Sequence, residues 1–206
     1  MSTSVRYLQA RCAALGFWPG PIDGIMGRRT REAHAEAVAS QKAKGKPFIH
    51  ASGLSRVHWH WTGGHHKPNR DDKRPYHVLF EGSGAMIRLA ALTDYRPHTL
   101  NANSGAAGLS LCGMFEARER PFHAGPEPIT AAQLDALVRE TAEICKAFDI
   151  PISQWSTLSH AEIQPTLGIK QNNKWDYTWL PGMSATGDPI EVGNKIRDMV
   201  RQEMQK

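Results

Sequence analysis

An α/β domain preceded by a small helical unit is the fold class the sequence predicts, and three observations predict it. Short apolar runs bounded by glycines and turn residues recur between residues 57 and 114. A long helical period opened by a capping signature follows at Thr130. Ahead of both, residues 5–40 carry two helical periods separated by a turn rich in proline and glycine.

The bulk properties agree with that layout. A chain of 206 residues holds one full domain with room for an appendage. With 40% hydrophobic and 22% charged residues it is long enough to bury a sizeable core. Cys12, Cys112 and Cys145 are odd in number, widely spaced and lack any C-x-x-C, which argues against a disulfide framework and a cysteine zinc knuckle and for a reducing compartment. Lys and Arg number 25 against 20 Asp and Glu, so the net charge of +5 favours a polyanionic partner: nucleic acid, anionic lipid or an acidic wall polymer. No stretch has the apolar length of a signal-sequence core or a membrane span, which predicts synthesis in the cytoplasm without an N-terminal export signal.

The elements follow in order. Val5, Leu8, Cys12 and Leu15 recur at helical spacing, with Ser4 as N-cap and Gly16 as the terminating glycine. Pro19 to Gly24 reads as a compact turn. A second helix is predicted over about Arg28 to Ser40, with Ala33, Ala37 and Val38 inward. Gln41 to Pro47 is basic and lacks an apolar period, so it reads as a linker, and a second domain begins near Phe48. Val57 to Thr62 alternates as a strand does, His77–Phe80 and Met86–Leu89 flank a Gly-Ser-Gly turn as a hairpin, and Gly108 to Met114 reads as a further buried strand. Thr130 and Gln133 form a capping box that opens a helix with Leu134, Leu137, Val138, Thr141, Ile144, Cys145 and Phe148 on one face, so Cys145 is expected in a core. Val192 to Met204 is a short basic amphipathic helix, packed on the domain, with contact to an anionic membrane surface as the minor alternative.

The N-terminal segment resembles the peptidoglycan-binding domain built from three short helices. Leu8-Gln9, then Leu15-Gly16-Phe17, Gly20, Asp23-Gly24, Gly27 and Thr30 carry its pattern over residues 5–40. The aromatic-Gln pair that closes that family's last helix is replaced by Ala37 and Val38. Singly, Asp23, Gly24 and Gly27 read as turn chemistry; the functional reading rests on the whole pattern. The implied layout is a peptidoglycan-binding unit at 1–41, a linker at 42–48 and a catalytic domain at 49–206.

The second domain resembles the zinc-dependent N-acetylmuramoyl-L-alanine amidases that include phage endolysins and peptidoglycan recognition proteins. His60-Trp61-Thr62, Tyr76-His77-Val78, Ala106 to Gly113, His160 and Lys174-Trp175-Asp176 match its motifs in family order between residues 57 and 182. The resemblance implies a central mixed β-sheet flanked by helices and a zinc ion held by His60, His160 and Asp176. Two neutral imidazoles and one carboxylate leave such an ion with net positive charge, so it acidifies water and polarises a carbonyl. Amide hydrolysis needs in addition a proton shuttle and a group facing the oxyanion. Lys174 is implied for the oxyanion. One branch of the family carries a Glu on the buried strand, where this chain has Ser110; another carries a Tyr at the place of Tyr76. Tyr76 is therefore the expected shuttle, with Glu162 the rival or else a hydrogen-bond partner of a ligand His.

His98 and Asn101 fall where similar enzymes bind substrate. His58 shares a strand face with His60 and is a reserve ligand. His77 reads as structural, His65 and His66 as solvated loop residues, and Trp59 and Trp61 either as core or as flanks of a sugar groove. The resulting expectation is a monomeric peptidoglycan hydrolase that cuts between N-acetylmuramic acid and L-alanine, a phage or prophage endolysin released to the wall by a holin. A bacterial wall-remodelling amidase and a non-catalytic recognition protein are the alternatives; nucleic-acid binding lacks a positioned recognition helix.

Overall fold

A computed structural model of the protein describes residues 4–206. Its centre is a five-stranded sheet formed by β1 (Arg56–Trp61), β2 (Val78–Phe80), β3 (Met86–Arg88), β4 (Ala106–Leu111) and β5 (Thr157–Ser159), in the order β3-β2-β4-β1-β5. β2, β4, β1 and β5 run parallel, and the predicted hairpin makes β3 antiparallel to β2, so the sheet is mixed as expected. Among the described residues, no helix is long and apolar enough to cross a membrane.

β1 is buried along its whole length, as a central parallel strand must be when both faces are covered. Its alternation therefore separates two buried faces. Val57, Trp59 and Trp61 pack into the main core with Phe80, Leu109 and Leu111, so the tryptophans are core residues. His58 and His60 project to the opposite face. The core face is covered by α3 (Ala131–Ala147) and α5 (Pro189–Glu203). α3 starts at the predicted capping box, with Gln133 N donating to Thr130 Oγ1 at 3.1 Å and Thr130 N donating to Gln133 Oε1 at 2.9 Å. Gln133 Nε2 then donates to the carbonyls of Phe80 and Cys112, which ties the helix cap to the ends of β2 and β4. Cys145 is buried in this core. Val192, Ile196 and Val200 of α5 are buried in it as well, the packing expected of the C-terminal helix.

The other face is covered by the segment between β3 and β4, by a 3-10 turn at His160–Glu162 that runs into α4 (Ile163–Leu167), and by the N-terminal helices. Here the structure corrects the sequence reading. Residues 4–43 form two helices, α1 (Val5–Ala14) and α2 (Arg28–Ala43), where three were expected; Met1 to Thr3 of the expected unit lie outside the described residues. Pro19 to Gly27 between them is a turn organised by buried Gln9. Its Nε2 donates to Asp23 Oδ1, Ile25 O and Thr30 Oγ1, and its Oε1 accepts from Gly24 N. The matched motif residues thus meet in one hydrogen-bonded cluster. α2 runs past the expected end at Ser40 because Gln41 is buried and no glycine interrupts the helix before Gly45, so the segment from 41 is helix first and connection only from Lys44. Val38, expected inward, is exposed.

This helical pair is docked rather than tethered. Ala10 packs with Leu158, Ile163 and Leu167, Arg6 Nη1 donates to Leu167 O at 3.1 Å, and Arg11 donates to Phe48 O and Asp149 O. Its own core is small, with Cys12, Ala33 and Ala37 at the centre and Leu8, Leu15, Phe17 and Phe48 around them.

Candidate active site

The register of the sheet sets the site. His60, next to last in β1, lies beside Ser110 of β4, and His58 lies beside Gly108. Gly108 is required by close approach, since a Cβ there would stand 2.5 Å from the His98 ring. β5 ends at Ser159, and His160 opens the 3-10 turn beside His60. Asp176 is held from the far side, its Oδ1 accepting from the Trp61 backbone N–H at 3.1 Å, while Tyr177 O–H donates to His60 O at 3.1 Å.

The three expected metal ligands converge. His60 Nδ1 and His160 Nδ1 are 3.0 Å apart, and Asp176 Oδ2 is 3.8 Å from His160 Nδ1. One ligand atom from each lies within 4.8 Å of the others, and all three residues are buried. The outer hydrogen bonds fix the tautomers. Gln171 Nε2 donates to Leu100 O, so its Oε1 must accept, and His160 Nε2–H donates to it at 3.0 Å. His98 Nε2 donates to Ala106 O at 3.2 Å, leaving its Nδ1 to accept from His60 Nε2–H at 3.2 Å. Burial holds His60 and His160 below the ordinary imidazole range, with His160 adding to the effect on His60, so both rings are neutral near pH 7. Each inner nitrogen is then a bare lone pair. Two lone pairs 3.0 Å apart beside a carboxylate repel unless a cation stands among them, so these residues could hold a divalent metal.

A second trio, His58, His60 and His98, also brings ligand atoms within 4.8 Å. It fits a metal less well, because His60 Nε2, the atom that faces His98, carries its proton toward His98 Nδ1. His98 is buried against His60 and fixes its ring, a role different from the substrate contact expected of it, although it also lines the cavity beside His160. That cavity, of about 570 Å³, further brings together Asn101, Gln171 and exposed Lys174. Asn101 uses its backbone carbonyl to accept from Tyr7 O–H at 2.6 Å.

Tyr76 stands over His60 with ring centroids 5.3 Å apart. Burial, with Asp176 second, raises its phenol above the ordinary range, so the O–H stays protonated and acts as a donor. Glu162 does not serve as its rival. Oε1 pairs with Arg197 Nη2 at 2.7 Å and Oε2 accepts from Ser159 N at 2.8 Å, so both oxygens are taken up in a fully buried ion pair under α5. His77 is structural as expected, accepting from Gly108 N and donating to Asp94 O. His65 is exposed as expected, its ring paired with Glu127, whereas His66 is half-buried, its backbone N–H donating to Glu127 and its Nε2 to Pro128 O.

Gln171, Tyr177 and Thr99 were not singled out in the sequence. Gln171 lies in a polar run, Gln-Asn-Asn, with no spacing signal; only the fold brings it to His160.

The fold and the site together are those of a peptidoglycan amidase. The family model for N-acetylmuramoyl-L-alanine amidases matches residues 48–182, and the chain belongs to that family. Among solved structures, the Staphylococcus aureus hydrolase AmiA, in complex with its ligand, superposes with a TM-score of 0.51 at 9% identity over 74% of each chain, a likeness of fold. The Ph2119 endolysin from the Thermus scotoductus MAT2119 bacteriophage Ph2119 gives 0.47 at 16% identity, covering 77% of this chain and 89% of its own. The amidase LysC from Clostridium intestinale URNW gives 0.45 at 12% identity over 71% and 89%. A comparison with curated proteins finds no match.

Proposed function

We propose that this amidase is a zinc enzyme, that it hydrolyses the amide between the lactyl group of N-acetylmuramic acid and L-alanine, and that it acts as a phage or prophage endolysin. The observation that carries the zinc reading is the convergence of His60 Nδ1 and His160 Nδ1, 3.0 Å apart, beside Asp176, with each ring's outer nitrogen within hydrogen-bond distance of a partner of its own. Two nitrogens and one carboxylate are the donor set of hydrolytic zinc sites. When bound, zinc supplies the positive charge that acidifies water and polarises a carbonyl.

The chain's own residues have distinct parts in this reading. The Tyr76 O–H, kept protonated by burial, donates a hydrogen bond that orients the attacking water or the carbonyl oxygen at His60. The Lys174 ammonium, on the rim of the cavity with His160, faces the negative charge that develops as the carbonyl becomes tetrahedral. Asn101, on the same rim, contacts the substrate. The docked α1–α2 pair holds the enzyme on the polymer and raises its effective concentration there.

Turbidity of purified peptidoglycan, followed with and without a chelator, tests the proposal. Clearing that stops with chelator and returns with zinc, together with free stem peptides of the mass expected from amide cleavage, is the expected result. Clearing indifferent to chelation, or products cut within the glycan strand, would overturn it.

A further inference from the structure

Arg56, the first residue of β1, is only 2% exposed and has an unusual environment for a buried cation. Its guanidinium lies over the Tyr7 ring, with Cζ 3.9 Å from the centroid, and Nη2 donates to the Ser104 carbonyl. Nε has no hydrogen-bond partner, and among the described residues no carboxylate approaches the guanidinium to within ion-pair distance. Burial without a counter-charge pulls its pKa down to about 10. A buried, unpaired charge is costly to keep, so the fold retains it against a penalty.

The same side chain lines a cavity of about 560 Å³, within the size range of small-molecule sites. Its walls come from both parts of the protein: Ser4 and Tyr7 from α1 and its cap, Ser52 and Ser55 from the lead-in to β1, and Asn101 and Ser104 from the segment before β4. Asp94, also on the wall, is turned to its own loop and accepts from Ala91 N at 3.2 Å. Asn101 and Ser104 also line the cavity that contains His160 and Lys174, so the two spaces adjoin.

We propose that this cavity is a binding site for a carboxylate of the peptide stem, with Arg56 as its charge partner and Tyr7 of the N-terminal helix as part of the wall. The assignment deepens the amidase reading and rests on it: hydrolysis leaves its new carboxylate on the lactyl group and a free amine on the stem, so the carboxylate offered to Arg56 is one the stem already carries along its own length. A planar guanidinium with an unused N–H suits a carboxylate, and surrounding serine hydroxyls and the Asn101 amide supply neutral donors. In this arrangement the N-terminal helices complete a peptide subsite in addition to holding the enzyme on the wall.

The test is calorimetric titration of the full chain with the free stem tripeptide, with the same peptide amidated at every carboxylate, and with inorganic phosphate. The free-acid peptide is expected to bind at least 10-fold more tightly than the amidated one and than phosphate, and Arg56→Met to erase that difference. Where Arg56→Met fails to fold, Tyr7→Leu replaces it and is expected to weaken the free-acid peptide several-fold, with the melting temperature as the check on folding. Equal affinity for the two peptides, phosphate binding as tight as peptide, or a folded Arg56→Met variant with unchanged affinity would overturn the proposal. Peptide binding does not depend on wall clearing, so failure of the zinc reading and failure of this one give different results.

Discussion

Two buried polar centres organise this molecule, and they differ in whether their hydrogen-bonding capacity is used up. In the N-terminal pair, Gln9 spends both ends of its amide on Asp23, Gly24, Ile25 and Thr30, and nothing is left over. In the sheet, His60, His160 and Asp176 satisfy their outward atoms and leave Nδ1, Nδ1 and Oδ2 turned on one another. A closed centre is a device for building a turn; an open one, held against its own repulsion, is a device for taking a ligand. Glu162 and Arg197 show that nearness to a site does not make a group open, because Glu162, two residues from His160, is closed by Arg197.

The largest test of the contrast is to remove an open group. Asp176→Ala is expected to lower turnover at least about 1,000-fold and to abolish stoichiometric metal in the purified protein, with a fall in melting temperature no larger than the loss of its hydrogen bond from the Trp61 N–H brings. A large fall in melting temperature with metal retained would mean that Asp176 is closed in the way Gln9 is. Next comes Tyr76→Phe. With its phenol protonated and over His60, loss of the O–H is expected to reduce kcat about 100-fold at unchanged metal content; full turnover would remove Tyr76 from the chemistry. Gln171→Leu touches the outer layer: without its acceptor, His160 is free to change tautomer, and metal affinity measured by chelator competition should fall between about 10- and 100-fold.

These residues also show what a sequence can disclose. The β2–β3 hairpin and α3 were legible because turn chemistry and a capping box act locally. His60, His160 and Asp176 were legible only as a family pattern, since each alone resembles an ordinary polar residue. In β1 the alternation of histidine and tryptophan was visible, but not that the central parallel position buries both faces. Gln171 and the Glu162–Arg197 pair carried no signal, because their partners are brought near by the chain's return across the sheet. The same gap explains Glu162: it was weighed as the rival of Tyr76, and the residue that neutralises it lies 35 positions on.

The smallest expected effect lies in the closed centre. Gln9→Ala leaves Gly24 N–H and the Thr30 hydroxyl without their amide partner and should cost about 1–2 kcal/mol, read as increased hydrogen exchange and proteolysis over residues 19–27. The Gln9 amide is also the largest cause holding Asp23 below the usual carboxylate range. A carboxyl whose folded pKa is depressed contributes stability above its unfolded value, near 3.8, and loses it as pH falls through the folded one. Wild type should therefore show an acid limb in the stability of this segment that Gln9→Ala flattens. Turnover on a soluble muropeptide should be unchanged by the substitution, since no atom of Gln9 points at the sheet's open centre. Loss of turnover in step with loss of the turn would break the comparison, because it would make the helical pair's folding a condition of the catalytic geometry rather than a neighbour to it.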